Sequence, residues 1–203
     1  MTRTGKLYII NVNYVIYKNQ VKEKRAFKDA YRIMKKIGAF LLSLVMLLSV
    51  IVLPTNTTQA AEAMPIVSYS VHAQSYGWMN PAQNGKTAGT TGKGKRLEAI
   101  AISLKQNGTS YAGGLRYQVH VQTYGWMNWV DADTNGASPR SLADKGQYAG
   151  TVGKSKRMEA IRMELTGELA NRYEVLYRVH MQTYGWSSWT KGGDTAGTVG
   201  QGK

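Results

Sequence analysis

The sequence predicts an all-β fold in which three tandem repeats of about 48 residues form a pseudo-threefold closed arrangement, similar to a β-prism or a β-trefoil. A ten-residue motif, Tyr-x-Val-His-x-Gln-x-Tyr-Gly-Trp, occurs at 69–78, 117–126 and 177–186, and each copy is followed by a second block that begins Ala-Gly-Thr. Apolar and polar residues alternate with a period of two, and no stretch of the repeats has a helical period. Closure of three such units would hide the strand edges that an open array exposes.

The first half of the motif is predicted to be a half-buried strand. Tyr69, Val71 and Ala73 fall on one face of the first copy, and the polar residues between them fall on the other. The other two copies repeat this alternation. A glycine follows in each copy, such as Gly77, where a sharp change of backbone direction is possible because no Cβ opposes it.

The second block supplies a further strand, in which Ile100, Ile102 and Leu104 of copy one are predicted to face inward. The predicted repeats span 66–104, 115–165 and 175–203. Copy two carries an insertion within 131–145, and its Asp, Asn, Gly and Pro content predicts a surface loop. Copy three ends before its second strand, so we expect the chain to be a fragment of a longer protein.

The N-terminal 63 residues predict export. A short basic stretch, an apolar run at 37–53 and small residues before Ala60 and Ala63 predict a cleaved signal peptide at 34–63. The alternative is a retained membrane anchor, which is the only membrane contact that we expect. Residues 1–33 are too long for the basic start of a signal peptide, so they are predicted to be a mis-annotated extension. The mature protein is expected to be secreted, or associated with the cell surface.

Composition narrows the classes of partner and of chemistry. The chain has no cysteine, which excludes disulfides and thiolate metal sites. Its formal net charge is +14, but 64–203 holds 16 Lys and Arg against 9 Asp and Glu, hence +7. No run of this charge forms a basic stripe, so we expect no nucleic-acid partner. The two basic pairs Lys95-Arg96 and Lys156-Arg157 are predicted to form a solvated rim.

The repeats resemble the clostridial hydrophobic W repeat, known as ChW. The motif described above, followed by Ala-Gly-Thr-x-Gly and then Lys-Arg-x-Glu-Ala-Ile, carries the resemblance over about 66–203. Pro81 departs from it, because the other copies have a second tryptophan there, and so do the insertion and the truncated third copy. The resemblance implies a secreted or surface module of Gram-positive bacteria, with extracellular binding as its role. It supplies no catalytic residue and no cofactor.

The candidate ligand-binding residues are aromatic rings beside polar side chains. Indole rings stack on sugars while imidazole and amide groups bond their hydroxyls. The alternative for the first tryptophan of each repeat is a core position, which we favour, and a histidine is most often bonded to a neighbouring turn. A site of three histidines on a shared axis is a weaker alternative, and we predict no metal. The candidates are Trp78, Trp126, Trp129, Trp186, Trp189, His72, His120, His180, Gln74, Gln122 and Gln182.

These patterns predict a non-catalytic binding module that recognises carbohydrate or a cell-wall polymer. An enzyme would need a paired acid and base, and no such pair is evident in the sequence. Two alternatives stay open. One is an adhesion or scaffolding module that binds a surface protein, and the other is the accessory part of a truncated extracellular hydrolase.

Overall fold

The computed structural model describes residues 7–17, 64–108 and 110–201. The described residues up to Ile16 and from Met64 onward belong to one compact unit. Strands dominate this unit and form three sheets among the described residues, which confirms the all-β prediction. The predicted signal peptide at 34–63 lies outside the described residues. In the described part of the chain, no helix is both long and apolar enough to cross a membrane.

Long strands alternate with pairs of residues that form very short strands. The strands are β1 (Leu7–Tyr17), β2 (Ile66–Ala73), β3 (Gly77–Trp78), β4 (Ala82–Gln83), β5 (Ala88–Gly89), β6 (Leu97–Lys105), β7 (Leu115–Val121), β8 (Gly125–Trp126), β9 (Val130–Asp131), β10 (Ala149–Gly150), β11 (Met158–Leu165), β12 (Tyr173–Met181), β13 (Gly185–Trp186), β14 (Thr190–Lys191) and β15 (Ala196–Gly197).

The long strand of each motif is buried on the face that the alternation predicts. Tyr69, Val71 and Ala73 of β2 are fully buried, and β12 alternates strictly between buried and half-buried residues along its whole length. In copies one and two the motif strand pairs in antiparallel register with the strand of the second block, β2 with β6 and β7 with β11. The apolar face of each hairpin therefore forms the core.

The strand of the second block also pairs with the next copy. In β6, Ile100 lies opposite Ala149 of β10, and in β11, Ile161 lies opposite Ala196 of β15. Each repeat therefore completes the sheet of the repeat before it. Backbone hydrogen bonds between these strands therefore join each copy to the next, in addition to contacts between side chains.

Strand β1 occupies the same place in the third sheet as β6 and β11 occupy in the other two. It lies between the long strand of a motif and a short alanine-glycine strand. The strand order there is β13, β12, β1 and β5, and Ile10 lies opposite Ala88. By this register, Ile10 stands where Ile100 and Ile161 stand in the other two sheets. The segment from Leu7 to Tyr17 therefore takes the position of the strand that copy three lacks.

The first tyrosine of the motif joins successive copies by a hydrogen bond. The backbone N–H of Ile102 in copy one donates to the hydroxyl of Tyr117 in copy two, at 3.2 Å. The backbone N–H of Met163 in copy two donates likewise to Tyr177 in copy three, at 3.1 Å. Both rings are buried, so each phenol satisfies a backbone group that has no access to water.

The insertion and one connector form short helices, which the sequence did not predict. Helix α1 (Pro139–Asp144) lies inside the insertion, and α2 (Gly167–Arg172) precedes β12. Six residues are too few to show a helical period in the sequence. Pro139 occupies the first turn of α1, where its fixed φ favours a helix, and this position is the local signal for the helix.

Candidate functional site

A tight turn brings the histidine and the tryptophan of each motif together. In copy one the chain reverses after Ala73, and Gly77 adopts a φ of +67°, which confirms the role predicted for this glycine. The returning strand β3 pairs with β2 so that Trp78 lies directly opposite His72. Their rings meet edge to face, with centroids 5.5 Å apart. The register of β2 and β3 therefore places the imidazole of His72 against the indole of Trp78.

The same contact recurs in the other two copies. The rings of His120 and Trp126 have centroids 5.5 Å apart, and those of His180 and Trp186 are 5.4 Å apart. All three tryptophans are half-buried, so they are neither pure core nor free surface. The histidines lie on the outer face of their own repeats. In the described residues, no group of three His, Asp or Glu side chains could hold a metal ion.

A buried glutamate lies beside the imidazole in copies one and two. Nδ1 of His72 lies 3.0 Å from Oε2 of Glu98, and Nδ1 of His120 lies 3.1 Å from Oε2 of Glu159. The imidazole therefore contacts both the carboxylate and the indole in these two copies.

The arginine of each basic pair neutralises this glutamate. Nη2 of Arg96 lies 2.6 Å from Glu98, and Nη2 of Arg157 lies 2.9 Å from Glu159. Arg157 is buried and Arg96 half-buried, so the prediction of a solvated basic rim is wrong for both arginines. The pairing explains the error, because a buried carboxylate holds each guanidinium inside the protein.

The insertion covers the outer face of repeat one. The backbone N–H of Leu104 donates to the carbonyl of Asp133 at 2.8 Å, and the outer residues of β2 and β6, including Ser70 and Ala101, are buried. Serine and alanine leave the space that this covering layer needs. The insertion is thus a packed layer with its own helix and not only the surface loop that its composition predicts.

Helix α1 packs directly beside the first tryptophan of repeat one. Leu142 and Ala143 form a buried cluster with Ala101, and Trp78 packs against that cluster. Trp78 also meets Tyr148 edge to face at 5.3 Å, and its carbonyl accepts a hydrogen bond from Arg140 at 2.7 Å. Trp78 therefore has a structural role that the other motif tryptophans do not share.

We predict that Leu142→Ala lowers the free energy of unfolding by about 2–4 kcal/mol, because it removes a buried leucine and leaves a cavity beside Ala101. Ser141→Ala is the matched control, since Ser141 is exposed on the same helix. Urea denaturation followed by circular dichroism measures both. Equal stability of the two variants would contradict the packing of α1 on repeat one.

Repeats two and three keep an open outer face on which arginines stack against tryptophans. The guanidinium carbon of Arg116 lies 4.8 Å from the centroid of the Trp129 ring, and that of Arg162 lies 4.2 Å from that of Trp126. Arg116 and Arg162 occupy the places that Ser68 and Ala101 have in repeat one. Repeat one therefore lacks these stacked pairs.

The two second tryptophans are the more exposed ones. Trp129 is 37% exposed and Trp189 is 38% exposed. They lie on the outer faces of repeats two and three. Pro81 stands at this position in repeat one, so that repeat offers no second indole.

The glutamines of the motif are half-buried at the turn. The backbone N–H of Gln74 donates to the carbonyl of Arg96, and that of Gln122 donates to the carbonyl of Arg157, both at 3.0 Å. These bonds hold the turn to the start of the following long strand. Oε1 of Gln182 is buried and has no hydrogen-bond partner among the described residues.

The structure adds residues that the sequence reasoning missed. The stacked arginines could not be found by spacing, because Arg116, Arg162 and Arg178 occupy different positions of the repeat. The exposed tyrosines of the turns could have been found, since the same motif position holds a tyrosine in every copy. They are more than half exposed: Tyr76, Tyr124 and Tyr184.

Comparison with known protein families gives one match. The model of the family described as Clostridial hydrophobic W matches 72–106, 120–167 and 180–203, which together make up more than half of the chain. The three matched regions coincide with the three copies of the motif, and the last is shorter than the other two. A search of curated proteins and a search of solved structures gave no match.

Proposed function

Because the chain belongs to the clostridial hydrophobic W (ChW) family of repeat modules, we propose that it is a secreted or cell-surface binding module without catalytic activity. Its ligand is a carbohydrate or a cell-wall polymer, which is bound by the tryptophans and by the histidines and glutamines of the motif. The observation that carries this proposal is the exposure of Trp129 and Trp189 on outer faces that also present polar side chains. Flat aromatic rings beside hydrogen-bonding groups suit sugar rings.

The open faces occur on two repeats, which supports multivalent binding. Each face would grip its ligand weakly, and two faces on one polymer would raise the overall affinity through their effective concentration. Repeat one contributes less, because the insertion covers its outer face and Pro81 replaces the second tryptophan. We therefore assign the binding role to repeats two and three.

We predict that Trp129→Ala and Trp189→Ala each weaken polymer binding by about ten-fold, because each removes an exposed stacking surface. The measurement is a binding screen of the full chain against purified glycans and cell-wall polymers. Val199→Ala is the matched control, since Val199 is an exposed apolar residue outside the motif. Binding that both tryptophan variants leave unchanged would contradict the proposal.

The exposed tyrosines of the turns favour a second candidate, a protein-binding adhesion module. Tyr76, Tyr124 and Tyr184 are each more than half exposed, and tyrosine is enriched at protein interfaces. If the protein binds its partner through a single interface, removal of one anchor residue should abolish binding entirely. Multivalent sugar binding would be lost in steps, so the pattern of loss across the repeats separates the two candidates.

The proposal includes a pseudo-threefold closed arrangement of the repeats. It is supported by the pairing of β6 with β10, β11 with β15 and β1 with β5, which links each copy to the next and the third position back to the first. Cleavage of the predicted signal peptide would remove β1, so we propose this closed arrangement for the uncleaved chain and not for the exported module. It is therefore tested on the full chain made without export.

We predict that Ile10→Cys combined with Ala88→Cys forms a disulfide on mild oxidation, because the two residues are directly opposite in antiparallel strands. The chain has no native cysteine, so any intramolecular crosslink reports this pair. Electrophoresis with and without reductant measures it. Val15→Cys with Ala88→Cys is the control, since position 15 lies out of register, and equal crosslinking of both pairs would contradict the closure.

A further inference from the structure

The outer face of repeat three contains an arginine held between two tryptophans. The guanidinium carbon of Arg178 lies 4.6 Å from the Trp186 ring centroid and 4.5 Å from the Trp189 ring centroid. Arg178 extends from β12, at the position that Gln118 has in β7. Contact with two rings holds the planar guanidinium in one orientation, so it loses little further freedom when it binds a ligand.

Most arginines of the described repeats already have a carboxylate. Arg116, which stacks on Trp129, forms an ion pair with Glu164. Arg162, which stacks on Trp126, donates from Nε to the hydroxyl of Thr195 at 2.7 Å. Arg178 forms no ion pair with any described Asp or Glu, and its Nε is buried without a hydrogen-bond partner among the described residues. An oriented guanidinium with unused donors is a binding group for an anion.

Arg178 is half-buried and lies beside an exposed aromatic surface. Trp189 is 38% exposed, so one ligand could stack on its ring and reach the guanidinium at the same time. Guanidinium donors match the geometry of carboxylate and phosphate oxygens, with two parallel N–H bonds. A neutral sugar would use the ring but would leave the charge without a partner.

We propose that Arg178, Trp186 and Trp189 form an anion-reading subsite that selects acidic polymers, whose hydroxyl-bearing units carry carboxylate or phosphate groups. This inference rests on the proposed function and names the chemical class of its ligand. The acid group pairs with Arg178 while the adjoining unit stacks on Trp189. Repeat two contributes less charge selection, because Glu164 already pairs with its Arg116 and the hydroxyl of Thr195 accepts the bond of its Arg162.

The test compares polymers that differ in charge. Polygalacturonate carries one carboxylate per sugar, and its fully methyl-esterified form is the neutral counterpart. Poly(glycerol phosphate) supplies the phosphate arm. We expect the full-length chain to bind at least one anionic polymer about ten-fold or more tightly than the methyl ester, because a charge-assisted bidentate bond adds to the stacking. The preference should shrink as the salt concentration rises.

Variants assign the preference to one residue. Arg178→Gln should equalise the affinities for the anionic and neutral polymers, and Arg178→Lys should restore only part of the difference, because an ammonium is not a planar fork. Arg172→Gln is the matched control and should keep the preference, since Arg172 also stacks on an aromatic ring, that of Tyr111, and already pairs with Glu168. Thermal unfolding of each variant verifies that the fold is retained.

The outcomes separate this inference from the proposed function. Preference for carboxylate or for phosphate that depends on Arg178 supports the subsite and identifies the source of the anion. Equal binding of the charged and neutral polymers, or a preference that survives in Arg178→Gln, overturns the subsite but leaves polymer binding intact. Absence of binding to every polymer overturns both.

Discussion

Gly150→Ala is expected to lower the free energy of unfolding by about 3–5 kcal/mol, because the residue is strained and crowded at once. Its φ is +114°, a conformation that L side chains rarely adopt. A Cβ built there would lie 2.4 Å from the carbonyl oxygen of Glu98 and 2.6 Å from Cα of Ala99. Both of those atoms belong to backbone, which cannot rotate away. The strand of copy two would therefore be pushed off β6.

The control for this substitution is Gly153→Ala. Gly153 also has a positive φ, of +73°, but a Cβ there would have no atom within 4 Å. Gly153→Ala should lower the free energy of unfolding by about 1 kcal/mol, which is the cost of the backbone conformation alone. Urea denaturation of the two variants measures the difference. If Gly150→Ala is as mild as Gly153→Ala, the close approach of β10 to β6 does not exist.

The protein is expected to lose stability steeply above pH 10, because two buried phenols resist ionisation. Burial raises the pKa of Tyr177 to about 12, although the hydrogen bond from the N–H of Met163 opposes the shift. Burial also raises the pKa of Tyr117 well above its usual value, with the N–H of Ile102 opposing it. In the unfolded chain both phenols ionise near pH 10.

The sign of the effect follows from proton binding. Between about pH 10 and 12, the folded state keeps protons that the unfolded state has lost, so rising pH favours unfolding. Each buried phenol contributes a loss of about 1 kcal/mol per pH unit in this range. The contribution of Tyr177 is fully present below pH 10 and disappears as the pH approaches 12.

Urea unfolding at a series of pH values from 8 to 11.5 measures this slope. Tyr177→Phe should flatten it, while costing about 1–3 kcal/mol at pH 8, because it leaves the buried N–H of Met163 without its acceptor and removes the bond to the carbonyl of Asp194. Val199→Ala is the control and should leave the slope unchanged, since its exposed side chain carries no titratable group. An unchanged slope in Tyr177→Phe would show that this phenol is not the group that titrates.

The strands of the motif could be predicted because their environment is periodic. Tyr69, Val71 and Ala73 alternate with polar residues, and the structure buries the same three. The outer face of β6 could not be predicted in this way. Its residues Ala101 and Ser103 are buried by the insertion of the next copy, a contact that no local pattern in β6 encodes.

The candidate site was predictable in its aromatic part and not in its charged part. The position of each tryptophan follows from the repeated turn, so the exposed rings could be named from the sequence. The stacking of Arg178 on two rings depends on cross-strand neighbours that the strand register brings together. Lys156-Arg157 was expected to be solvated, but Arg157 is buried and paired with Glu159. The sequence does not show which guanidinium lies beside a carboxylate in the fold.

The alanine-glycine strands make the junctions between copies interchangeable. Ala149-Gly150 meets Ile100 and Ala99 in the same register in which Ala196-Gly197 meets Ile161 and Ala160. A duplicated gene segment would therefore encode a unit whose two ends already fit those of its neighbours. Each copy can therefore join its neighbour through the same backbone interface, while outer-face residues such as Arg178 differ from copy to copy.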